Sequence, residues 1–227
     1  MSKKSGYGQY CPISVAAEVM AQKWTPLVLR GLFCGAHRFN EIAKSVPRMS
    51  SALLSQRLKE LEYAGIIERS GAAKGSEYNL TEAGRELFPV LDHMGAWAQK
   101  WLRREITREE NLDPDVLMWE FRQLKAAPVD PDVKRRVVKF ELSGVAAAKR
   151  FYWLVFETQE AEICVRDPGY EVDLWVHAPI RTLVEIWMGH TTIAKSCREE
   201  TLALHGSKDE IKAFSDWFAL SHFAQYA

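Results

Sequence analysis

Residues 50–80 have the sequence SSALLSQRLKELEYAGIIERSGAAKGSEYNL, and they contain the clearest signals for helices and strands in the first part of the chain. Ser50 or Ser51 can cap a helix that runs to Tyr63, because a serine oxygen accepts the free backbone N–H groups of a first turn. Gly65 suits the left-handed position that follows such a helix. The stretch therefore predicts one well-delimited helix before residue 65.

This helix has two faces of different chemistry. Leu54, Leu58 and Leu61 recur at i, i+4 and i+7 and form an apolar stripe. The opposite face carries small or flexible polar side chains, namely Ser51, Ser55, Gln56 and Lys59. Two strand-like segments, 66–69 and 77–80, follow, and the Gly-rich segment between them is typical of a hairpin tip.

The flanking sequence supplies further helices. Pro12 begins one helical run, Thr25-Pro26 begins a second that Gly35 ends, and a short third run spans 39–44. After the hairpin, Thr81 can cap a long helix with apolar residues as far as Trp101. Three helices, a fourth with a polar face and a two-stranded hairpin are the parts of a winged helix.

Composition excludes several classes of protein. The 227 residues include 47% hydrophobic and 26% charged residues, which is typical of a globular chain. No run of 18 apolar residues predicts a membrane span, and the N-terminus lacks the apolar segment of a secretion signal. The four cysteines, at 11, 34, 164 and 197, have no metal-site spacing. We therefore expect a cytoplasmic protein without a structural disulfide, metal or other cofactor.

The zero net charge hides an asymmetry. Residues 1–104 contain 15 Lys and Arg against 9 Asp and Glu, a net charge of +6. The remaining residues contain 15 against 21, a net charge of −6. Such a division favours two domains with different partners, the basic one facing a polyanion, although charges of this size also serve solubility alone.

The second half predicts an α+β domain. Residues 104–132 form a connector with a helix over 114–125 and a turn-rich end. From residue 133 to 227, alternating and continuous apolar segments predict strands near 138–142, 151–156, 161–165, 172–176 and 201–204. Helices are expected over 179–188, over 192–198 and after Ser207.

The first half closely resembles the HxlR-type transcriptional regulators over residues 8–103. The resemblance rests on linked motifs in order: Cys11-Pro12-Ile13, Lys23-Trp24-Thr25-Pro26-Leu27, Arg38-Phe39-Asn40-Glu41-Ile42, Leu54-Ser55-Gln56-Arg57-Leu58-Lys59-Glu60-Leu61, Gly65-Ile66-Ile67-Glu68-Arg69 and Tyr78-Asn79-Leu80-Thr81-Glu82-Ala83-Gly84. It implies a homodimeric bacterial regulator that binds a pseudo-palindromic operator in double-stranded DNA, with the fourth helix in the major groove and the hairpin as the wing. Such a protein is not an enzyme, and it associates with the nucleoid when bound. Members are usually little longer than this domain, so the second half departs from the pattern.

The second half is similar to the sterol-carrier-protein fold. The similarity rests on Val172-Asp173-Leu174-Trp175-Val176, an apolar helix before Gly189, a second short helix, and Leu202-Ala203-Leu204-His205-Gly206. It implies either a site for a small apolar ligand between sheet and helices or a passive dimerisation module. Five aromatic residues could line such a site or simply form the core: Trp153, Trp175, Trp187, Phe214 and Trp217.

The polar face of the fourth helix and the nearby cations are the candidate DNA contacts. Ser, Gln and Lys can reach base edges without bulk, whereas arginines around them can contact phosphates. The full candidate set is Arg38, Arg48, Ser50, Ser51, Ser55, Gln56, Arg57, Lys59, Arg69 and Lys74. Arg57 can instead pair with Glu60 or Glu41, and the whole face can also be an ordinary solvated surface.

Two further features concern assembly and regulation. Leu91, Met94, Trp97 and Trp101 extend the stripe of the long helix beyond what a small winged helix covers, which predicts a dimer interface. Cys11 precedes Pro12 at a helix start, where the helix dipole favours a thiolate. The family resemblance implies an oxidant sensor there, and the alternative is a packing residue.

The sequence therefore predicts a dimeric winged-helix regulator with a sterol-carrier-like second domain, modulated by an apolar ligand or by Cys11. A rival hypothesis is an apolar-ligand carrier or accessory protein that uses the winged helix for protein contact. The Lys and Arg residues at the wing and helix favour the first.

Overall fold

The computed structural model describes residues 6–71, 75–122, 135–157 and 161–227, with the side chain of Trp217 excluded. The chain divides into two compact units, Met1–Met94 and Gly95–Ala227. The predicted domains, 1–103 and 133–227 with a connector over 104–132, have different bounds and stay a prediction. Within the described ranges, no helix is both long and apolar enough to cross a membrane.

The first unit contains the helices and hairpin that the sequence predicts. Its elements are α1 (Pro12–Met20), α2 (Thr25–Phe33), α3 (Phe39–Ser45), α4 (Ser51–Tyr63), β1 (Ile67–Ser70), β2 (Glu77–Leu80), α5 (Glu82–Arg85) and the start of α6 (Phe88–Trp101). The strands β1 and β2 are antiparallel. The predicted order of four helices followed by a hairpin is confirmed.

Local chemistry explains the bounds of α4. The Ser50 hydroxyl oxygen accepts a hydrogen bond from the backbone N–H of Leu53 at 3.3 Å, so Ser50 rather than Ser51 caps the helix. Gly65 has a φ of +70°, the left-handed conformation that glycine adopts at little cost. Between these two residues the leucine stripe is fully buried, which fixes the rotation of α4 about its axis.

The single long helix predicted after Thr81 is wrong. The structure has two helices there, α5 and α6, which are separated at residues 86–87. Pro89 explains the break, since its ring would clash with the carbonyl of Arg85 in a continuous helix and its nitrogen cannot donate. Proline is tolerated in a first turn, and Pro89 lies in the first turn of α6.

The second unit is a mixed sheet with helices, which agrees with the predicted α+β class. After the end of α6 it contains α7 (Arg103–Ile106), α8 (Pro114–Phe121), β3 (Arg136–Ser143), β4 (Phe151–Phe156), β5 (Ala161–Cys164), β6 (Leu174–Pro179), α9 (Ile180–Trp187), α10 (Ile193–Arg198), β7 (Ala203–Gly206) and α11 (Lys208–Trp217). The predicted helix over 114–125 ends at Phe121 in the described part of the chain, and residues 123–132 of the predicted connector lie outside it.

The strand order of the five-stranded sheet is β5-β4-β3-β6-β7. The pair β3 and β6 is parallel, and the other neighbours are antiparallel. Val138, Phe140 and Leu142 of β3 belong to the main core, as their alternation predicts, together with Leu117 and Phe121 of α8. The alternate β3 residues, Val137, Lys139 and Glu141, therefore lie on the opposite face of the sheet.

Candidate DNA-binding interface

The exposed face of α4 is formed by the polar residues that the sequence singles out. Ser51, Ser55, Gln56 and Lys59 are all exposed, whereas Leu54, Leu58 and Leu61 are buried on the other side. No bulky apolar side chain lies among these four positions. A helix with such a face can approach the edges of bases in a major groove.

Glu60 organises the middle of this helix. Gln56 Nε2 donates to Glu60 Oε1 at 3.0 Å, and the Arg57 guanidinium pairs with the other carboxylate oxygen. Arg57 is only 7% exposed. The structure therefore does not place Arg57 with the exposed candidates, and of the alternatives open from the sequence it forms the pair with Glu60. The sequence spacing could have predicted the burial of Arg57, since residue 57 lies at i+3 from Leu54 and falls within the buried leucine stripe.

The wing brings a second set of candidate contacts together. Arg69 of β1 donates to the Ser76 hydroxyl at 2.9 Å, and its guanidinium lies 5.9 Å from the centre of the Tyr78 ring. Arg69 and Tyr78 are directly opposite in the β1–β2 register. Sequence reasoning missed Tyr78, although the cross-strand pairing of an aromatic residue with an arginine could have identified it. Lys74 lies outside the described residues.

Arg38 links the start of α3 to the wing. Its guanidinium is 3.3 Å from Glu77 Oε1, and the two residues also form an isolated β-bridge. The backbone N–H groups of His37 and Arg38 both donate to Glu41, at 2.9 and 3.0 Å. Because both partners of the Arg38 ion pair are well exposed, the pair contributes little stability, and the guanidinium can exchange Glu77 for a phosphate.

Eight of the ten sequence candidates are exposed on these elements of the first unit. They are Arg38, Arg48, Ser50, Ser51, Ser55, Gln56, Lys59 and Arg69. They lie at the start of α3, before and along α4, and on β1. The exposed polar face of α4 is therefore preceded in the sequence by Arg38 and Arg48 and followed by Arg69.

The predicted dimer residues lie on α6. Trp97 and Trp101 are 57% and 65% exposed, Met94 is also exposed, and Leu91 is half-buried. A second exposed apolar segment is α1, which has no buried residue and exposes Ile13 and Val15. Large apolar side chains left in contact with water on two helices are typical of a protein–protein interface.

The opposite face of the end of α6 is held within the second unit. Gln99 is buried, and its Nε2 donates to the carbonyl of Met188 at 2.7 Å. The Gln99 Oε1 is 3.1 Å from Nε2 of His190, so it accepts from the neutral imidazole in the Nε2–H form. At Gly95 an added Cβ would lie 2.2 Å from the Phe223 ring, so this contact needs glycine. Trp97, which is about 160° away from Gln99 around the helix, is consequently directed to solvent.

We expect His190 to make the second unit sensitive to mild acid. Burial, and secondly the Arg103 charge, lower the pKa of His190 below its usual value of 6.5. Below about pH 6.5 the unfolded chain binds the proton first, so the free energy of unfolding falls until the lower folded-state pKa is passed. Urea unfolding measured between pH 7.5 and 5 should show a larger decrease in the free energy of unfolding for the wild type than for His190→Gln. Parallel pH curves for the two proteins would contradict this assignment.

Cys11 lies at the N-cap position of α1 and is partly exposed. It makes no side-chain capping hydrogen bond there. This placement agrees with the helix start expected from Pro12, but it tests neither the sensor nor the packing hypothesis. Both stay predictions.

Of the five aromatic residues predicted to line a ligand pocket, the four whose side chains the structure describes lie on two opposite sides of the sheet. Trp187 and Phe214 belong to the main core, whereas Trp153 belongs to a smaller cluster with Val137 and Val155. Trp175 is on the same side of the sheet as Trp153, because the register pairs both with Lys139. Trp153 and Trp175 lie opposite the main core because successive residues of a strand point to opposite faces of the sheet. The side chain of Trp217 lies outside the described part of the structure.

Comparison with known proteins identifies the first part of the chain. The profile of the family described as HxlR-like helix-turn-helix matches residues 19–106. The HTH-type transcriptional regulator YvaP of Bacillus subtilis is 35% identical over 98 residues, which cover 41% of this chain and 91% of YvaP. The HTH-type transcriptional regulator YodB of the same organism is 36% identical over 95 residues, covering 40% and 85%. The solved reduced form of YodB is 35% identical, covers 41% of this chain and 95% of that chain, and has a TM-score of 0.36.

Proposed function

The chain belongs to the HxlR-like helix-turn-helix family, and we propose that it regulates transcription as a homodimer bound to a pseudo-palindromic operator. The relatives that carry the family assignment are named as transcriptional regulators, which supports a DNA-binding regulator. The observation that carries the proposal is the exposed polar face of α4, beside a wing whose Arg69 lies against Tyr78. In the proposed complex α4 enters the major groove and the wing contacts the backbone.

The candidate contacts divide into two roles. Gln56, Ser51 and Ser55 can reach base edges, and Lys59 reaches bases or phosphates. Arg38, Arg48 and Arg69 contact phosphates and fix the register of the protein on the duplex, and Arg38 exchanges Glu77 for a phosphate to do so. Arg57 supports the helix through Glu60 and is left out of the contact set.

Two substitutions should separate these roles. Gln56→Ala removes a base-reading amide, so operator affinity should fall by about 5–150-fold for each half-site, at about 1–3 kcal/mol per bidentate base contact, with little change on random DNA. Arg69→Gln removes a phosphate contact and should weaken both complexes by a similar factor. Fluorescence anisotropy with operator and shuffled duplexes measures all four constants. Equal losses from both variants on both duplexes would refute the proposed role of Gln56.

The rival hypothesis, a carrier or accessory protein that uses the winged helix for protein contact, gives a different outcome. Such a protein would show no preference for one duplex over its shuffled copy. Among the described cations of the candidate set, Arg38 and Arg57 pair with the carboxylates of Glu77 and Glu60. The exposed Lys59 and Arg69 therefore support the DNA-binding proposal most directly.

The apolar ligand implied by the sterol-carrier resemblance stays a prediction, and the relatives reported above cover only about 40% of the chain. Phe121 packs edge-on against Trp187 and Phe218, with ring centres 5.4 and 5.0 Å apart. Trp187 and Phe218 are 6.3 Å apart in the same cluster. A ligand between sheet and helices would have to displace these packed rings. The passive dimerisation module that the same resemblance implies needs no such displacement.

A further inference from the structure

A row of five side chains crosses the face of the five-stranded sheet that lies opposite the main core. The register places one residue on each strand, in the spatial order Cys164, Trp153, Lys139, Trp175 and His205. Lys139 is the middle residue of this row, on the central strand β3. Its two nearest neighbours in the row are therefore indole rings.

The Lys139 ammonium is surrounded by aromatic rings. Its Nζ lies 3.9 Å from the centre of the Trp175 ring, 5.2 Å from that of Trp153 and 5.0 Å from that of Phe151. Each of these rings attracts the cation through its negative face, which holds the ammonium in place. The cation is thus positioned before any ligand arrives.

Lys139 has no acidic partner among the residues that the structure describes, whereas Glu141 and Arg135 each have an oppositely charged partner. Glu141 is occupied by Arg150 and lies 3.6 Å from His177, and Arg135 pairs with Glu157. The Arg150 guanidinium also lowers the pKa of Glu141, which keeps that carboxylate ionised and engaged. Within the described ranges, the half-buried Lys139 therefore has no anion to complete the coordination of its ammonium group between the rings.

The rings around Lys139 leave aromatic surface in contact with solvent. Trp175 is 39% exposed and Phe151 is 36% exposed, although both belong to a sheet face. In the same row the buried Trp153 Nε1–H has no acceptor among the described residues. A positioned cation, exposed ring surface and an unused N–H donor together favour a ligand that combines a flat apolar ring with an anion.

We propose that this face binds a small aromatic carboxylic acid. The carboxylate pairs with Lys139 Nζ, and the ring of the ligand packs on the exposed parts of Trp175 and Phe151. The site is separate from the aromatic core on the other side of the sheet, so the ligand displaces no packed residue. Neither half of the ligand suffices: an aliphatic acid lacks the ring contact, and a neutral aromatic amide lacks the ion pair.

Four probes and the full-length protein test this proposal by titration calorimetry. 1-Naphthoate should bind with one site per chain, whereas 1-naphthamide and cyclohexanecarboxylate should bind at least about tenfold more weakly, which corresponds to about 1.4 kcal/mol. Benzoate has a carboxylate but a smaller ring, so its affinity should lie between that of 1-naphthoate and that of cyclohexanecarboxylate. A similar affinity for 1-naphthamide and 1-naphthoate would overturn the proposal, because the cation would then contribute nothing.

Variants locate the site. Lys139→Met keeps a long apolar stem without the charge, and it should weaken 1-naphthoate binding at least about tenfold, as should Trp175→Leu. Lys139→Arg retains a cation and should retain binding, which separates loss of charge from a folding defect. Lys195→Met removes an exposed lysine of α10 and should change nothing. Undiminished binding to Lys139→Met would refute the site.

Discussion

Operator affinity of the full-length protein is expected to fall by about 10³–10⁵-fold between 50 and 200 mM salt, as for a complex with about 6–10 phosphate contacts. Each chain has four candidate phosphate contacts, Arg38, Arg48, Lys59 and Arg69, and a homodimer doubles that number. Every cation that contacts a phosphate releases condensed counterions, so salt opposes binding by mass action. Anisotropy titrations at several salt concentrations give the slope of log affinity against log salt.

A matched pair of variants assigns that slope to the interface. Arg69→Gln removes two contacts per dimer and should make the slope shallower by about 1.8, at about 0.9 per phosphate. Lys212→Gln removes an exposed charge from α11 of the second unit and should leave the slope unchanged. A shallow slope in the wild type, or equal slopes for the two variants, would show that the wing does not contact the backbone.

Replacing Trp97 and Trp101 by glutamate is expected to abolish dimerisation. Both rings are more than half exposed in the single chain, and a twofold interface would cover four of them at once. A loss of about 1 kcal/mol per ring already raises the dimer dissociation constant by roughly 10³-fold, before the cost of four buried carboxylates is added. Operator affinity should fall as well, since two half-sites are then no longer bound together.

Sedimentation velocity distinguishes the outcomes. The matched control is Trp97→Phe with Trp101→Phe, which keeps a ring at each position and should remain dimeric. A soluble Glu/Glu variant that still sediments as a dimer would place the interface elsewhere. The exposed apolar residues of α1, Ile13 and Val15, would then be the next surface to test.

The first unit shows how far local sequence signals extend. Ser50, Gly65 and the three leucines of α4 were sufficient to place that helix and its exposed face, because caps and periodicity act within a few residues. Pro89 also lies in the sequence, but the continuous apolar stripe through it concealed the break between α5 and α6. The partner of Arg57 is harder to predict, because Glu60 on the same helix and Glu41 on α3 are both possible partners, and only the structure shows the pair with Glu60.

The second unit shows where such signals stop. The segment 151–156 is apolar at every position, so alternation could not tell which of its residues point to the core. The sorting of Trp153 and Trp175 to one face and Trp187 to the other depends on the β3–β4 and β3–β6 registers. The β3–β6 pairing joins residues far apart in the chain, and side-chain patterns do not encode it directly. The row around Lys139 could therefore be recognised only in three dimensions.

The order of the five strands has a consequence for colloidal behaviour. The central strand β3 has eight residues, its neighbours β4 and β6 have six each, and the edge strands β5 and β7 have four each. A sheet that shortens toward its margins presents few unpaired backbone groups to another molecule. The long apolar strands β3, β4 and β6, which could pair with a strand of another molecule, are each hydrogen-bonded to a neighbouring strand along both edges. The most aggregation-prone segments of this fold therefore lie in the interior of the sheet and not at its edges, where strands of another molecule could be added.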